Sequence, residues 1–270
     1  MRSHYDGLVN RLRKIESVIV AFSGGVDSTL LLRAVRDAGI RSVAVTACSP
    51  LISQAEIRHA QEHADEMGSA FMMLQVNEFA VDGFAENHEE RCYLCKAYRY
   101  DSLCKLAHEE NYAAIVDGTN LDDMQDYRPG LRAVRERGVL TPLADAGLTK
   151  SDIRELSRTL RLSTWDKPSS PCLATRIPYG SPITIEKLRM IENAEMYLAE
   201  MGFRELRVRT FDDAARIEVL PEQMTMLFEN DNRARILAEL NRLGYRSVSI
   251  DLGGFRSGKL NPARPGKREK

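Results

Sequence analysis

Short apolar runs alternate with amphipathic stretches along roughly the first 160 residues of the chain. Val18-Ile19-Val20-Ala21-Phe22 is a continuous apolar run, which is typical of a strand buried on both faces of a sheet. Three further apolar runs predict strands over 43–45, 71–76 and 113–116. Helical periodicity predicts helices that begin near Asp27, Ser53, Arg91 and Thr149 or Ser151. The alternation is typical of an α/β fold, with a parallel sheet and helices on both of its faces.

The pattern changes in the second part of the chain. Prolines 168, 171, 178 and 182 argue against regular secondary structure between residues 163 and 182. Beyond them, the apolar spacing predicts five elements: a helix over 184–200, strands near 206–208 and 217–219, a helix over about 221–243 and a strand over 248–252. This αββαβ order is typical of a small α+β domain.

These patterns predict a division of the chain into four segments. The segments are an α/β domain over 1–165, a proline-rich active-site loop or linker over 166–183, a small αββαβ substrate-binding or oligomerisation domain over 184–256, and a basic tail over 257–270. A long irregular loop inside a compact protein is more often functional than idle, which is why we expect 166–183 to contribute to a site.

The composition argues against nucleic acid and membranes as binding partners. The chain has 38 basic and 39 acidic residues, so bulk charge does not favour binding to nucleic acid. No apolar run approaches the roughly 18 residues that a membrane span needs. The first residues lack the apolar segment of a secretory signal, so we expect a cytoplasmic protein without membrane contact.

A phosphate-binding loop is the clearest chemical signal. Ser23-Gly24-Gly25-Val26-Asp27-Ser28 follows a predicted buried strand and opens a predicted helix. Glycines let backbone amides approach phosphate, serine hydroxyls add donors, and the helix N-terminus favours anions. Asp27 would repel phosphates by itself, so we expect it to hold Mg²⁺ that bridges them. The motif resembles the SGGxDS loop of the PP-loop ATP pyrophosphatases, which form AMP and pyrophosphate and adenylate a substrate.

Cysteines form a second candidate site. Cys92 and Cys95 lie at the start of a predicted helix, and Cys172 lies in the proline-rich loop. Three thiolates with an open fourth position would suit a four-iron four-sulfur cluster. Two alternatives stay open: a single reactive Cys172, or structural zinc with a fourth ligand such as Cys104.

Six ordered blocks of the sequence resemble the LarE family, the ATP-dependent sulfur insertases of nickel-pincer nucleotide cofactor synthesis. The blocks are 23–28, 91–96, 117–130, 171–176, 207–218 and 254–258, so the resemblance covers essentially the whole chain. It implies that residues 1–165 form a PP-loop ATP pyrophosphatase domain (adenine nucleotide alpha hydrolase-like), in which Gly118 and Thr119 help to bind ATP. The implied reaction is adenylation of a carboxylate of pyridinium-3,5-biscarboxylic acid mononucleotide, followed by its conversion to a thiocarboxylate.

Candidate substrate-binding residues lie mainly in the second part of the chain. Arg207 and Arg209 are two residues apart on a predicted strand, so both would face the same side and could grip a phosphate with forked hydrogen bonds. The resemblance adds Arg176 and Glu195 to the same pocket. Asp126 follows the fourth predicted strand and could position substrate or aid Mg²⁺ binding.

The resemblance also bears on the source of sulfur and on partners. Some members of the family give up the sulfur of one cysteine at the position of Cys172, and others hold an iron–sulfur cluster on three cysteines that match Cys92, Cys95 and Cys172. Because this chain has all three, we predict the cluster type. The family further implies a small nucleotide substrate, a homo-oligomer, and nickel-inserting and carboxylase enzymes of the same pathway as possible partners.

Three other functions compete with this interpretation. A tRNA thiolation enzyme of the PP-loop superfamily is the closest alternative, but it would need a large positive surface. An ammonia-using ligase shares the loop and leaves the cysteines without a role. A nucleotide-binding regulator would bind ATP without forming AMP.

Overall fold

A computed structural model of the protein describes residues 2–125 and 129–256. The chain forms two compact units. The first unit comprises residues 2–84 and 89–170, and the second comprises residues 85–88 and 171–256. The finer division into a loop over 166–183 and a domain over 184–256 stays a prediction.

A four-stranded parallel sheet forms the centre of the first unit. Its strands are β1 (Ser17–Ala21), β2 (Arg41–Cys48), β3 (Phe71–Gln75) and β4 (Ala114–Asp117), and their spatial order is β3-β2-β1-β4. The chain therefore builds the sheet outwards from β1 in one direction through β3, and then returns to place β4 on the other side. The prediction of a parallel sheet is confirmed, and each of the four expected strands lies within a few residues of its predicted position.

Helices cover both faces of this sheet. They are α1 (Arg2–Leu12), α2 (Val26–Ala38), α3 (Gln54–Glu66), α4 (Arg91–Glu109), α5 (Leu121–Gln125), α6 (Pro129–Glu136), α7 (Pro142–Asp145) and α8 (Lys150–Thr159), with a short 3₁₀ helix at Glu78–Ala80. Val18 and Val20 of β1 pack on one side in a core with α1, α2, α3 and α8, whereas Ile19 packs on the other side with α4 and α6. The expected burial of β1 on both faces is confirmed.

Local signals in the sequence explain where several helices begin and end. Gly39 ends α2 in the left-handed conformation, with φ +71°. The Ser53 side chain accepts a hydrogen bond from the Glu56 backbone amide at the start of α3. Thr149 begins α8 with a reciprocal capping box to Asp152.

The second unit is a mixed sheet with two helices. Its elements are a 3₁₀ helix at Leu173–Arg176, α9 (Ile185–Glu200), β5 (Arg207–Phe211), β6 (Ala214–Glu218), short 3₁₀ helices at Pro221–Gln223 and Thr225–Leu227, α10 (Asn232–Arg242) and β7 (Ser247–Ile250). β5 and β6 are antiparallel, and β6 and β7 are parallel. Val208 and Ile217 pack with α9 and α10 in one core, which leaves the opposite face of the sheet for polar residues.

One predicted helix is wrong in its extent. The apolar spacing predicts a single helix over about 221–243, but α10 begins only at Asn232 after the two 3₁₀ helices. Asn230 has a left-handed backbone, with φ +48°, which interrupts any helix. The polar run 229–232 also offers no apolar side chain to the core, so nothing would hold a continuous helix against the sheet. The proline-rich stretch likewise holds one short 3₁₀ helix where the sequence predicts no regular structure.

Across the described residues, every helix is too short or too polar to span a bilayer.

Candidate functional site

The phosphate loop lies where the order of the strands reverses. β1 leads into the loop at residues 22–25, and its neighbour β4 leads into Gly118 and Thr119. Strands β2 and β3 lie to one side of β1 and β4 lies to the other, so the two connections leave the sheet in opposite directions. Open α/β sheets bind ligands in the crevice formed at such a point.

Serine side chains shape the loop from within. The Ser23 hydroxyl accepts a hydrogen bond from the Gly25 amide (3.3 Å) and lies 3.1 Å from the Ser28 hydroxyl. Ser28 is buried and donates to the Gly25 carbonyl (3.2 Å). The first amides of α2 have no acceptor inside the helix and are available to an anion at its N-terminus.

Two glycines are required by close packing around the loop. Gly24 has φ +65°, and a Cβ atom there would lie 2.8 Å from Cα of Ala60 in α3. A Cβ atom at Gly118 would lie 3.0 Å from the backbone nitrogen of Ser28. The connections after β1 and β4 therefore touch the neighbouring backbone directly, which only glycine permits.

Asp27 lies at the start of α2 among polar side chains. Asn120 donates to one carboxylate oxygen (3.1 Å), and the Lys150 ammonium pairs with the other. The Asp27 side chain is 22% exposed, so solvent or a ligand can reach it. Mg²⁺ in nucleotide sites is often held by only one or two carboxylates together with the phosphates of the substrate, so this single carboxylate fits the expected ion if Lys150 moves aside.

A buried carboxylate fixes the connection after β4. Asp117 accepts hydrogen bonds from the Thr119 amide (2.7 Å), from the Thr119 hydroxyl and from the Tyr100 hydroxyl, and it lies 3.8 Å from Lys96. Burial alone would raise the pKa of Asp117, but Lys96 and these hydrogen bonds outweigh it and hold the pKa below its ordinary value. Thr119 thus supports the loop's geometry as well as being a candidate for ATP binding.

Three residues near the loop were missed by the sequence analysis. Lys167 donates to the Gly24 carbonyl (3.3 Å) and to Glu56 (2.9 Å), and Lys150 and Asn120 hold Asp27 as described above. Asn120 ends the 117–120 block and could have been found from it. A lone lysine distant in sequence gives no comparable signal, because most lysines lie on solvated surfaces.

Cys92 and Cys95 lie in the first two turns of α4, at the spacing that places both on one face. The Arg91 guanidinium donates to the Cys92 sulfur (3.8 Å), and the Cys95 thiol lies 3.9 Å from Oε1 of the buried Glu78. Both side chains are partly exposed, so a ligand can reach them. Cys104, the alternative zinc ligand, lies twelve residues after Cys92 and packs beside the core that α4 shares with α6.

In the second unit, the Arg176 side chain forms hydrogen bonds with the backbone of the loop that carries Cys172. Its guanidinium is 3% exposed and donates to the Pro171 carbonyl (2.6 Å) and the Cys172 carbonyl (3.1 Å). Two parallel hydrogen bonds of 2.9 and 2.8 Å join Arg176 to Glu195, which also accepts from the Val208 amide of β5 (2.9 Å). The expected pair Arg176 and Glu195 therefore lies together, with its hydrogen bonds directed to the protein.

Arg207 and Arg209 lie on the same face of β5, as expected from their spacing. Arg209 is buried, pairs with Glu218 (2.9 Å) and donates to the Thr175 carbonyl (2.8 Å). Burial lowers the pKa of Arg207 to about 10; Arg176 and Arg209 add to this effect, and Glu195 and Glu218 oppose it. An anion would offset the repulsion from Arg176 and Arg209.

The described residues hold no group of three or more His, Cys, Asp or Glu side chains placed to bind a metal ion. Cys92 and Cys95 belong to the first unit and Cys172 to the second. Asp126, expected near the substrate or Mg²⁺, lies outside the described residues.

Comparison with known proteins adds independent findings. Residues 1–155 match the PP-loop domain family. The chain is 40% identical over 262 residues to an uncharacterized protein of Synechocystis sp.. This alignment covers 97% of this chain and 98% of that protein. It is 38% identical over 258 residues to the pyridinium-3,5-bisthiocarboxylic acid mononucleotide synthase of Lactiplantibacillus plantarum, with coverage of 94% and 92%. The solved structure of NMN synthetase from Francisella tularensis shares the fold, with a TM-score of 0.52 at 18% identity over 63% of this chain and 75% of that chain.

Proposed function

We infer that this chain, which belongs to the PP-loop family and within it to the family of the pyridinium-3,5-bisthiocarboxylic acid mononucleotide synthases, is an ATP-dependent sulfur transferase. It adenylates a carboxylate of pyridinium-3,5-biscarboxylic acid mononucleotide and converts that carboxylate to a thiocarboxylate, in the synthesis of the nickel-pincer cofactor. The observation that carries the proposal is the phosphate loop at the reversal between β1 and β4, with the Asp27 carboxylate at its end.

ATP binds at this loop. The amides at the start of α2 and the hydroxyls of Ser23 and Ser28 surround the phosphates, and Gly118 and Thr119 line the nucleotide from the neighbouring connection. Mg²⁺ held by Asp27 would neutralise charge on the phosphates. A carboxylate oxygen of the substrate attacks the α-phosphorus, and the bond to pyrophosphate breaks. Donors at the loop stabilise the departing pyrophosphate.

The second unit supplies the substrate-binding residues. Arg207 is the best placed of them, because its side chain is partly exposed, whereas Arg176 and Arg209 are buried. Arg209 contributes charge while remaining paired with Glu218. Arg176 and Glu195 act mainly by holding the backbone of Cys172 and the edge of β5. Asp126 remains a candidate for positioning the substrate.

Sulfur replaces the activated oxygen, which leaves with AMP. We propose that Cys92, Cys95 and Cys172 hold a four-iron four-sulfur cluster, which when bound would carry a transferable sulfide. Thiolates are the ligands that such clusters prefer, and α4 presents two of them on one face, so the donor chemistry fits. If no cluster forms, the proposal becomes sacrifice of Cys172, whose Cβ–S bond breaks to leave dehydroalanine.

We also propose a cellular compartment, an oligomeric state and partner enzymes for this chain. The enzyme works in the cytoplasm as a homo-oligomer, and its nucleotide product passes to nickel-inserting and carboxylase enzymes. Nucleic acid has no part in the reaction.

Formation of AMP and pyrophosphate tests the function directly. We expect release of both from ATP to depend on the pyridinium dicarboxylate mononucleotide and to fall at least a hundredfold in Asp27→Asn, because the Mg²⁺ ligand loses its charge. Asp65→Asn, which changes an exposed aspartate of α3, is the matched control and should leave the rate unchanged. Stimulation by tRNA in place of the pyridinium nucleotide would overturn the proposal in favour of tRNA thiolation.

A further inference from the structure

A cavity separate from the phosphate loop opens in the first unit. It lies between α2, the end of α3 and the segment that follows α8, and its volume is about 160 Å³. At about 30 Å³ for each liquid water, it has room for about five water molecules. The α2 residues in its walls all lie beyond Ser28, so a ligand here would not occupy the loop itself.

The walls of this cavity carry uncompensated positive charge. Arg33, Arg36 and Arg161 line it, against one carboxylate, Glu66. Arg33 pairs with Asp37 (3.0 Å). Neither Arg36 nor Arg161 has an ion-pair partner within residues 2–125 and 129–256. Three arginines against Asp37 and Glu66 leave an excess of one positive charge, and Arg36 and Arg161 can both direct guanidinium donors to an anion.

Glu66 offsets one of these positive charges, but it forms no ion pair with Arg36 or Arg161 within the described residues. The Ser163 hydroxyl donates to Glu66 (2.8 Å), and Nδ1 of His63 lies 3.4 Å from the same carboxylate oxygen. Ser163 and His63 are themselves 3.2 Å apart. These hydrogen bonds lower the pKa of Glu66 and keep it charged, and they direct its carboxylate to Ser163 and His63 instead of to the arginines.

A buried hydroxyl at the cavity lacks a partner. Thr29 lines the cavity, is 2% exposed, and its Oγ1 atom makes no hydrogen bond within the part of the chain that the structure describes. Buried hydroxyls are nearly always hydrogen-bonded, since an unmade bond destabilises the fold. The Oγ1 atom is itself buried, so an oxygen-bearing ligand would supply the missing partner after the Thr29 side chain turns towards the cavity. This observation is independent of the arginines.

Arg161 lines the cavity from a strained backbone conformation. It follows the end of α8 with φ +56°, the left-handed conformation that glycine usually takes there. The Leu162 amide bonds to the Ser157 carbonyl (2.9 Å), which closes the helix end around that conformation. An arginine here gives the cavity a guanidinium at a position where glycine would fold with less strain.

We propose that this cavity binds a phosphate-bearing anion, at a site distinct from the phosphate loop. Arg36 and Arg161 supply charge and forked donors for phosphate oxygens, and the Thr29 hydroxyl donates to the ligand. The shared chemistry is a phosphate group, whose source is either free inorganic phosphate or pyrophosphate.

Calorimetric titration of protein saturated with a non-hydrolysable ATP analogue tests this site. Binding of the analogue is measured first, so that a failure of ATP binding is seen separately. We then expect one equivalent of inorganic phosphate or pyrophosphate per chain, and the tighter ligand identifies the source. Arg36→Ala and Arg161→Gly should each weaken that binding at least tenfold while the affinity for the analogue stays within twofold.

Two further variants keep the test decisive. Arg58→Ala removes an exposed arginine of α3 outside the cavity and should leave anion binding unchanged. Thr29→Val keeps the shape of the side chain, removes the hydroxyl, and should weaken anion binding severalfold in protein whose circular dichroism is unaltered. No anion binding by the saturated protein, or equal binding by Arg36→Ala, Arg161→Gly and Arg58→Ala, would overturn the proposal.

Discussion

Gly24 is the residue on which the shape of the phosphate loop depends most. It combines a left-handed backbone with contact against the α3 backbone, and each by itself disfavours a side chain. We expect Gly24→Ala to lower the free energy of unfolding by about 3 kcal/mol, from backbone strain and steric overlap together, and to abolish AMP formation. Urea unfolding and the AMP assay check the two effects.

Gly39→Ala is the matched control for that substitution. Gly39 has a similar φ of +71°, but a Cβ atom there would meet nothing within 4 Å. The variant should lose only about 1 kcal/mol, for the strained backbone, and should keep its activity. Equal losses in both variants would show that contact with Ala60 does not constrain the loop.

Arg161 offers a second test of backbone conformation. Arg161→Gly should raise the free energy of unfolding by about 0.5 kcal/mol, because relief of left-handed strain slightly exceeds the added freedom of glycine in the unfolded chain. Arg161→Ala removes the same charge but keeps the strain, so it should not share the gain. Equal stabilities of the two variants in urea would contradict the strain at this position.

At the scale of elements, α4 packs against the sheet and carries Cys92 and Cys95 near its start. Cys92→Ser and Cys95→Ser should each remove iron and acid-labile sulfide from protein purified without oxygen, because each takes away a ligand of the proposed cluster. Cys104→Ser, on the same helix but beside the core, should keep both. Iron content that is unchanged in Cys92→Ser would contradict the cluster and favour sacrifice of Cys172.

The connection after β4 makes a prediction about pH. The pKa of Asp117 is lower in the folded chain than the ordinary 3.8, so its ionised form stabilises the fold above that value. The contribution is lost as the pH falls through the lower folded value. Asp117→Asn should therefore lower the free energy of unfolding by about 2 kcal/mol at neutral pH.

The difference between the wild type and Asp117→Asn should shrink below pH 3.8. Unfolding by urea at a series of pH values measures it. A difference that is constant down to acid pH would contradict the lowered pKa.

The sequence predicts elements well where the local and tertiary signals agree. The run 18–22 is apolar, its loop carries glycines, and α2 ends at Gly39, so strand, loop and helix were all placed correctly. The predicted helix over 221–243 was wrong in extent because apolar spacing gives no sign of the left-handed backbone at Asn230. The bonds of Arg209 to Glu218 and Thr175 could not be predicted either, because strand pairing brings these groups together.

At the scale of the whole molecule, the two units divide the chemistry. The first unit carries the phosphate loop, Cys92 and Cys95, and the second carries Cys172 and the arginines of β5. The charges of the chain nearly cancel, so its positive groups act locally, around Arg207 in the second unit and around Arg36 and Arg161 in the first. Such local clusters suit a small phosphorylated ligand better than a nucleic acid.

The mass of the nucleotide product tests the central claim most directly. Protein prepared without oxygen is incubated with ATP, Mg²⁺ and pyridinium-3,5-biscarboxylic acid mononucleotide, and the nucleotides are then analysed by mass spectrometry. We predict a product whose mass corresponds to exchange of one carboxylate oxygen for sulfur, with one AMP formed for each exchange. Formation of AMP with the pyridinium nucleotide recovered unchanged in mass, in protein that carries its full complement of sulfur, would contradict the account.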